Sequence, residues 1–466
     1  MSPFRTLVLL AGAASLSACD MAPKYVRSVS EFVPPEWPQG AAYAPAKRGA
    51  AGIPWRTLVG DDKLRQVIEQ ALARNQDLAA TVAKAEMARA QYRTQRSNQL
   101  PTIAANARAS VQRTISGPQT SAAGDSTSFT GNVGISGFEI DLFGRLKNLS
   151  RQALEQYLAS DSGTRSTRFT IVAETATAYA TLAADQDLLA IARQQVTSGE
   201  ETVRLTNRLH DVGLVSGSDV TDAQTILAQA RADVESYTAQ VARDRNALEL
   251  LAGGEIDDAL LPTGLGTLDA SIANVPAGLS SAVLLDRPDV VEAEHQLKGA
   301  NANIGAARAA FFPVISLTSL VGVASNALSS LLSGSTTTWS ANPSVSLPIL
   351  GGTNRGNLDY AKAQADYYLA TYRKAAQTAY REVADGLARR GTIVRQRAAQ
   401  ADLVAPASKS ASVADARYKQ GIDNFLTALV TQRTLYSARQ SAISLTLTDI
   451  SNRITLYQAI GSDDTL

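Results

Sequence analysis

Few residues in this chain could do chemistry, and their types and spacing point away from catalysis. Histidine occurs twice, at His210 and His295, each isolated in a helical stretch with no Cys or His partner at metal-ligand spacing. Both read as surface polar positions, and no metal site is expected. The run Leu350-Gly351-Gly352-Thr353-Asn354-Arg355-Gly356 superficially suggests a phosphate loop, because it follows a strand pattern and precedes a helix. Its counterpart Leu142-Phe143-Gly144 makes a strand-to-helix hinge the better explanation. Neither a nucleophile elbow nor a dinucleotide fingerprint is found, so no catalytic or cofactor-binding residue is assigned. Asp219 and Asp222 lie three apart on one helix face. Several copies could bring them into a carboxylate ring that attracts cations; equally, they could be negative charge favouring a helix start. The last candidate is Cys19, a lone thiol that cannot form an internal disulfide.

The setting of Cys19 gives it a chemistry. Arg5 and the apolar run Leu7 to Ala14 precede it, far short of the roughly 20 residues a spanning helix needs, which is the pattern of an export signal. The run ends Leu16-Ser17-Ala18-Cys19, resembling the bacterial lipobox, in which the Cys is acylated and becomes the first mature residue. An ordinary export signal that happens to contain a Cys is the competing reading. Residues 1–18 are then the leader, and the only added group is a diacylglycerol with an N-acyl chain on Cys19. Asp20 follows directly, an identity that in some bacteria holds lipoproteins in the inner membrane. Transmembrane strands favour the outer membrane instead.

The elements come next. With 44 basic against 43 acidic residues, the charge balance gives no reason to expect nucleic acid or a polybasic membrane patch. Aromatics are only 6% of the chain while Ala, Gln, Thr and Ser abound, a composition of closely packed long helices. The sequence also repeats itself. Asn75-Gln76-Asp77-Leu78 opens a helix ending before Pro101, and Arg287-Pro288-Asp289-Val290 opens another ending before Pro313, 212 positions on. Gly213 and Gln224 recur as Gly421 and Gln432 after 208 positions. A period this long is a duplicated domain rather than a solenoid.

Each half reads helix, two strands, very long helix, turn, helix. Ile103, Ala105, Ala107, Ala109 and Val111 alternate with Asn106, Arg108, Ser110 and Gln112, the two-residue period of a strand with one apolar face. Ser128 to Gly137 repeats the pattern after a loop, with Phe129, Val133 and Ile135 facing one way. In the second half, Ile315 to Val323 and Trp339 to Leu347 do the same, and each strand has about the 9–11 residues a tilted membrane strand requires. Val220, Leu227, Val234, Val241 and Leu248 form a heptad seam, as do Leu429, Tyr436, Ile443, Ile450 and Tyr457. From about Gly144 to His210 no Pro interrupts, so a rod of roughly 100 Å is possible.

Four strands cannot close in a bilayer, where each unpaired backbone group costs several kcal/mol. The smallest bacterial barrels have about eight strands, so identical chains must pool theirs, and three copies give twelve. A single chain should therefore show an unclosed four-stranded sheet and exposed apolar helix faces.

At this point the chain resembles the TolC-like outer membrane efflux proteins, in their lipoprotein branch. The resemblance covers nearly the whole mature chain. It rests on Pro23-Lys24-Tyr25, Trp55 with Leu64, Ala71-Leu72, Asn75-Gln76-Asp77-Leu78, Glu139-Ile140-Asp141-Leu142-Phe143-Gly144, Arg287-Pro288-Asp289 and the two tip segments at Gly213 to Gln224 and Gly421 to Gln432. It implies a mixed α and β fold: a trimeric 12-stranded transmembrane β-barrel, four strands per chain, continuous with a long periplasmic α-helical barrel. It also implies a homotrimer in the outer membrane, a passive exit duct for drugs or other small molecules, served by a periplasmic adaptor and an inner membrane pump of the RND type. The tips would form the adaptor contact and gate, with Gly213, Leu214, Asp219, Asp222, Gly421, Asp423, Asn424, Thr427 and Val430 as its residues. Related channels often carry an acid late in the second tip; here Thr427 and Val430 stand there, so a less cation-selective gate is expected.

The expected division is a lipidated extended segment over 19–60, a first efflux repeat over 61–265, a second over 266–461 and a tail at 462–466. Two other readings compete: a type I secretion exit duct, and a lipid-anchored coiled-coil scaffold of the envelope. The scaffold accounts for the lipobox and heptads but not for strand pairs at equivalent points of a duplicated chain.

Overall fold

A computed structural model describes residues 20–27, 33–43, 53–114, 124–275, 280–333, 336–463 and 465–466. The leader 1–18, Cys19 and residues 115–123 of the first strand loop lie outside the described residues. In chain order the main elements are α1 (Asp62–Arg74), α2 (Gln76–Ser97), β1 (Ile103–Thr114), β2 (Gly124–Ile140), α3 (Arg145–Asp211), α4 (Gly217–Leu251), α5 (Leu265–Ser271), α6 (Pro288–Ala309), β3 (Val314–Ser325), β4 (Thr337–Ser346), α7 (Gly352–Lys419) and α8 (Phe425–Ile460). Among the described residues no helix is long and apolar enough to cross a membrane. The chain forms two compact units, each drawing on both sequence halves.

The first unit takes Lys84–Ser160, Glu292–Tyr372 and the chain up to Arg27. Its strands form one antiparallel sheet in the order β1-β2-β3-β4. Alanine-rich β1 has local helix preference, and pairing with β2 overrides it, with Ala105 opposite Val133 and Ala109 opposite Phe129. β2 is 17 residues long, well beyond the strand ending at Gly137 that alternation alone indicates. The reason is a bulge. The register slips by one between Ile135 and Phe138, where Gly137 has φ +64° and donates its N–H to Thr318 Oγ1 at 3.0 Å. One extra residue switches parity, so even-numbered Phe138 and Ile140 continue the face that odd-numbered Val133 and Ile135 began.

The strand-to-helix corner Glu139 to Gly144 explains its own sequence. Arg145 clasps Glu139 through two bonds, the shorter 2.5 Å, and the Asp141 carboxylate accepts the N–H groups of Arg145 at 2.7 Å and Lys147 at 2.8 Å, capping α3. Phe143 stacks on Phe312 at 4.8 Å. Beneath, α6 packs on α3, with Gly299 against Gln152 and Glu155, and on α7, where Asn303 donates to Gln364 at 3.0 Å. The segment after Cys19 is docked here too. The Tyr25 hydroxyl donates to buried Glu294 at 3.0 Å, and Arg27 and Lys298 pair with the same carboxylate. His295 is a correction: it is mostly buried and bonds Glu155 at 2.7 Å rather than facing solvent.

The second unit takes Ser28–Ala83, Asp161–Val291 and Arg373–Leu466. Its core gathers Trp55, Leu64, Ile68 and Ala71 of the N-terminal region with Leu248, Ile256, Ile454 and Tyr457 among the buried apolar residues. Within it sits an ionic cluster. Asp449, 4% exposed, meets Arg390 at 2.6 Å, Arg397 and Arg453, while Asp269 at α5 also binds Arg397 and Arg453. Burial pushes the Asp269 carboxyl up, but hydrogen bonds from the two guanidiniums outweigh it and hold it below the usual range.

Candidate functional site: helical tips and an open sheet

The α3–α4 and α7–α8 hairpins turn through the same geometry 208 positions apart. At the first, Gly213 with φ +74° donates to the His210 carbonyl at 2.8 Å and Leu214 to that of Leu209 at 2.8 Å. At the second, Gly421 with φ +71° donates to Tyr418 at 2.9 Å and Ile422 to Arg417 at 2.9 Å. Both are Schellman endings, where a left-handed residue closes the helix and only Gly adopts that conformation without strain. The N-cap residue of the next helix comes three residues later in both. The Ser216 hydroxyl caps α4 by accepting the Asp219 N–H, and the Asn424 side chain caps α8 by accepting the Thr427 N–H.

That pairing reassigns the acidic residues. The Asp219 carboxylate reaches back to the Ser216 N–H and hydroxyl, both at 2.9 Å, completing a capping box. Asp219 is thus engaged in its own turn, and the two carboxylates singled out in sequence do not share one site. Asp222 is exposed and, among the described residues, makes no side-chain hydrogen bond or ion pair. Asp423 is clasped by Arg417 at 2.7 and 2.8 Å, which lowers its carboxyl below the usual range. Thr427 stands at the position of Asp219 and Val430 at that of Asp222, so the second tip carries no free acid at these places. Among the described residues no His, Cys, Asp and Glu cluster could hold a metal ion.

What sequence reasoning missed lies just behind the turns. Tyr418 is buried with its hydroxyl 2.9 Å from that of Thr206, and it packs with Phe425, Ala428, Leu429 and Ala223 into one small core joining the hairpins. Farther along, Tyr436 donates to Asp233 at 3.0 Å and Gln440 to Tyr237 at 3.1 Å, tying α8 to α4. A lone Tyr in a heptad context carries no signal for its partner, so only packing could reveal this. In contrast, Val212, Leu214, Ile422, Leu426 and Val430 are exposed around the turns. These side chains form an apolar rim on an otherwise polar hairpin.

The sheet is the second half of the site. On one face lie Ile103, Val111, Phe129, Val133, Phe138, Ile140, Val321, Trp339 and Val345; on the other lie Asn106, Ser128, Thr130, Asn132, Ser316, Ser344 and Asn342. Such a sheet suits lipid on one side and water on the other. Its outer edges, β1 and β4, have no strand partner among the described residues. A four-stranded sheet of this kind in a chain of long paired helices defines an outer membrane channel subunit, with a fold of mixed α and β class.

Comparison with known proteins agrees. Residues 67–254 and 279–462 match the model of the outer membrane efflux protein family, and the chain belongs to that family. It is 42% identical to the probable efflux pump outer membrane protein TtgC of Pseudomonas putida, over 96% of this chain and 93% of that one. To the outer membrane protein OprJ of Pseudomonas aeruginosa it is 37% identical, over 91% and 88%. The crystal structure of the open state of the Neisseria gonorrhoeae MtrE outer membrane channel superposes with a TM-score of 0.85 at 34% identity, covering 95% of this chain and 98% of that one. The protein is an outer membrane component of an efflux system, and its relatives are channel proteins.

Proposed function

We propose that the protein acts as a homotrimer whose pooled sheets form a twelve-stranded barrel, a passive duct through which an inner membrane pump of the RND type discharges small molecules by way of a periplasmic adaptor. The observation that carries this reading is the four-stranded sheet, apolar on one face and open at both edges, which a bilayer does not tolerate unpaired. The chain itself contributes no catalytic step and holds no resident cofactor; energy comes from the pump. Relatives named for toluene, solvent and antibiotic efflux support apolar small molecules as cargo. The chain is anchored by acyl groups on Cys19, outside the described residues, and the docking of Tyr25 and Arg27 on Glu294 supports an anchor held close to the folded body.

The exposed rim of Val212, Leu214, Ile422 and Leu426 supports the turns as the adaptor contact, and Gly213, Asp222, Gly421, Asp423, Asn424 and Val430 stand in the same segments. The experiment is complementation of a strain lacking its own outer membrane channel. Leu214→Asp and Ile422→Asp should abolish resistance to apolar toxic compounds while native gels still show trimers. Normal resistance in both variants would overturn the tip assignment, and a monomeric parent protein would overturn the duct.

A further inference from the structure

The charges of the sheet are few and unevenly placed. Over 101–141 and 313–350, the two strand pairs with their loops, the charged residues are Arg108, Arg113, Asp125, Glu139 and Asp141, all from the first half. Four of them are engaged near the strand ends. Arg113 faces Asp125 across the hairpin end at 3.6 Å, Arg145 clasps Glu139, and Asp141 caps α3. Arg108 is what remains. It is exposed, and among the described residues its guanidinium makes no hydrogen bond or ion pair. It lies midway along β1, which runs from Ile103 to Thr114.

Register fixes the face it occupies. Arg108 pairs with Thr130, and the two-residue period groups it with Asn106 and Ser110 on β1 and with Ser128 and Asn132 on β2. That is the polar face of the sheet, and Val111, Phe129 and Val133 take the other. An unpaired Arg turned to lipid at mid-strand is costly, a second reason for water on the Arg108 side. Its neighbours there offer hydroxyls and amides but no carboxylate, so the charge stands uncompensated.

We propose that Arg108 of the three copies forms a cationic ring inside the barrel, which draws anionic small molecules and counter-ions into the exit and slows cationic ones. This rests on the trimeric duct reading. Copies related by rotation place their charges at one level. A twelve-stranded wall is roughly 24 Å across between backbones, from a strand spacing of about 4.8 Å and a tilt of about 40°. Arg carries its charge at the end of a long stem. The lumen axis then lies within about one Debye length of all three charges, about 8 Å at physiological ionic strength. A ring of like charge at that range biases which ions share the lumen. The second hairpin, free of charge, neither adds to the ring nor neutralises it.

Thiol reagents of opposite charge read the local potential wherever the narrowest point of the duct lies. Ser110→Cys stands two residues from Arg108 on the same face. On cells making the full chain, a membrane-impermeant anionic methanethiosulfonate should modify it faster than a cationic one, once each rate is divided by that with free 2-mercaptoethanol. The chain with Cys19 as its one cysteine sets the background. The anion-to-cation rate ratio should fall about threefold or more when Arg108→Gln is added and should invert with Arg108→Glu. Arg108→Lys, which keeps the charge, should preserve it. A ratio that stays the same in all these backgrounds would overturn the ring. Modification of Val111→Cys but not Ser110→Cys, in a protein that sediments as a trimer, would reverse the faces and overturn it as well, with the duct intact. A sedimenting monomer would instead remove the duct reading itself.

Discussion

Asp185 on α3 lies against Asp244 on α4, an acidic pair that no sequence pattern indicated. Burial pushes the Asp185 carboxyl up from 3.8 to about 7, and its hydrogen bond with Asp244 and the charge of that neighbour add to the rise. The Asp244 Oδ2 is buried and lacks a donor, a need that a proton on the neighbouring Asp185 would meet. The folded protein then holds a proton that the unfolded chain releases, and stability falls as pH rises from about 4 to about 7. Melting followed by circular dichroism should show a decline over that window that is missing in Asp185→Asn; parallel profiles would refute the pair. At the tips, the caps give a second expectation. Ser216→Ala and Asn424→Ala should each cost about 1 kcal/mol in chemical denaturation. Asp222→Ala should cost nothing measurable, because its carboxylate is not engaged in the turn.

Among elements, two devices hold what sequence periodicity alone leaves loose. The Ser136-Gly137 bulge keeps β2 in phase with β3 after the parity change. Gly137→Val, which disfavours the φ of +64° that the bulge needs, should force a regular strand that turns Phe138 and Ile140 toward the polar face, and trimer yield in the outer membrane should collapse; an unchanged yield would show that the bulge is dispensable. The Asp449 cluster ties α8 to α7 and α5 through three arginines. Asp449→Ala leaves those cations buried without their shared partner, a loss of about 3–5 kcal/mol by comparison with broken buried pairs. A loss below about 1 kcal/mol, the scale of exposed pairs, would mean that water reaches the cluster.

For the molecule as a whole, the two tips differ between halves. The first tip presents Asp222 and the second presents Val430 at the equivalent place. A channel of three copies then offers one free acid per chain at these positions, so its cation preference should be modest. Val430→Asp should raise the cation-to-anion permeability ratio in planar bilayers, by the focusing of like charge at a constriction. An unchanged ratio would place the constriction elsewhere.

Alternation, heptads and turn glycines are local properties, each set by neighbours in sequence, and from them alone the strands, long helices, tips and duplication were legible. The insufficiency of four strands followed too, because hydrogen bonding in lipid is a matter of counting edges. Partners distant in sequence were decided only by tertiary structure. Tyr418 found Thr206, His295 found Glu155 and Asp449 gathered three arginines across separations that no periodicity encodes. The bulge at Gly137 and the engagement of Asp219 in its own cap likewise needed coordinates. A glycine shows where the backbone can bend, whereas which way a carboxylate turns depends on what has packed around it.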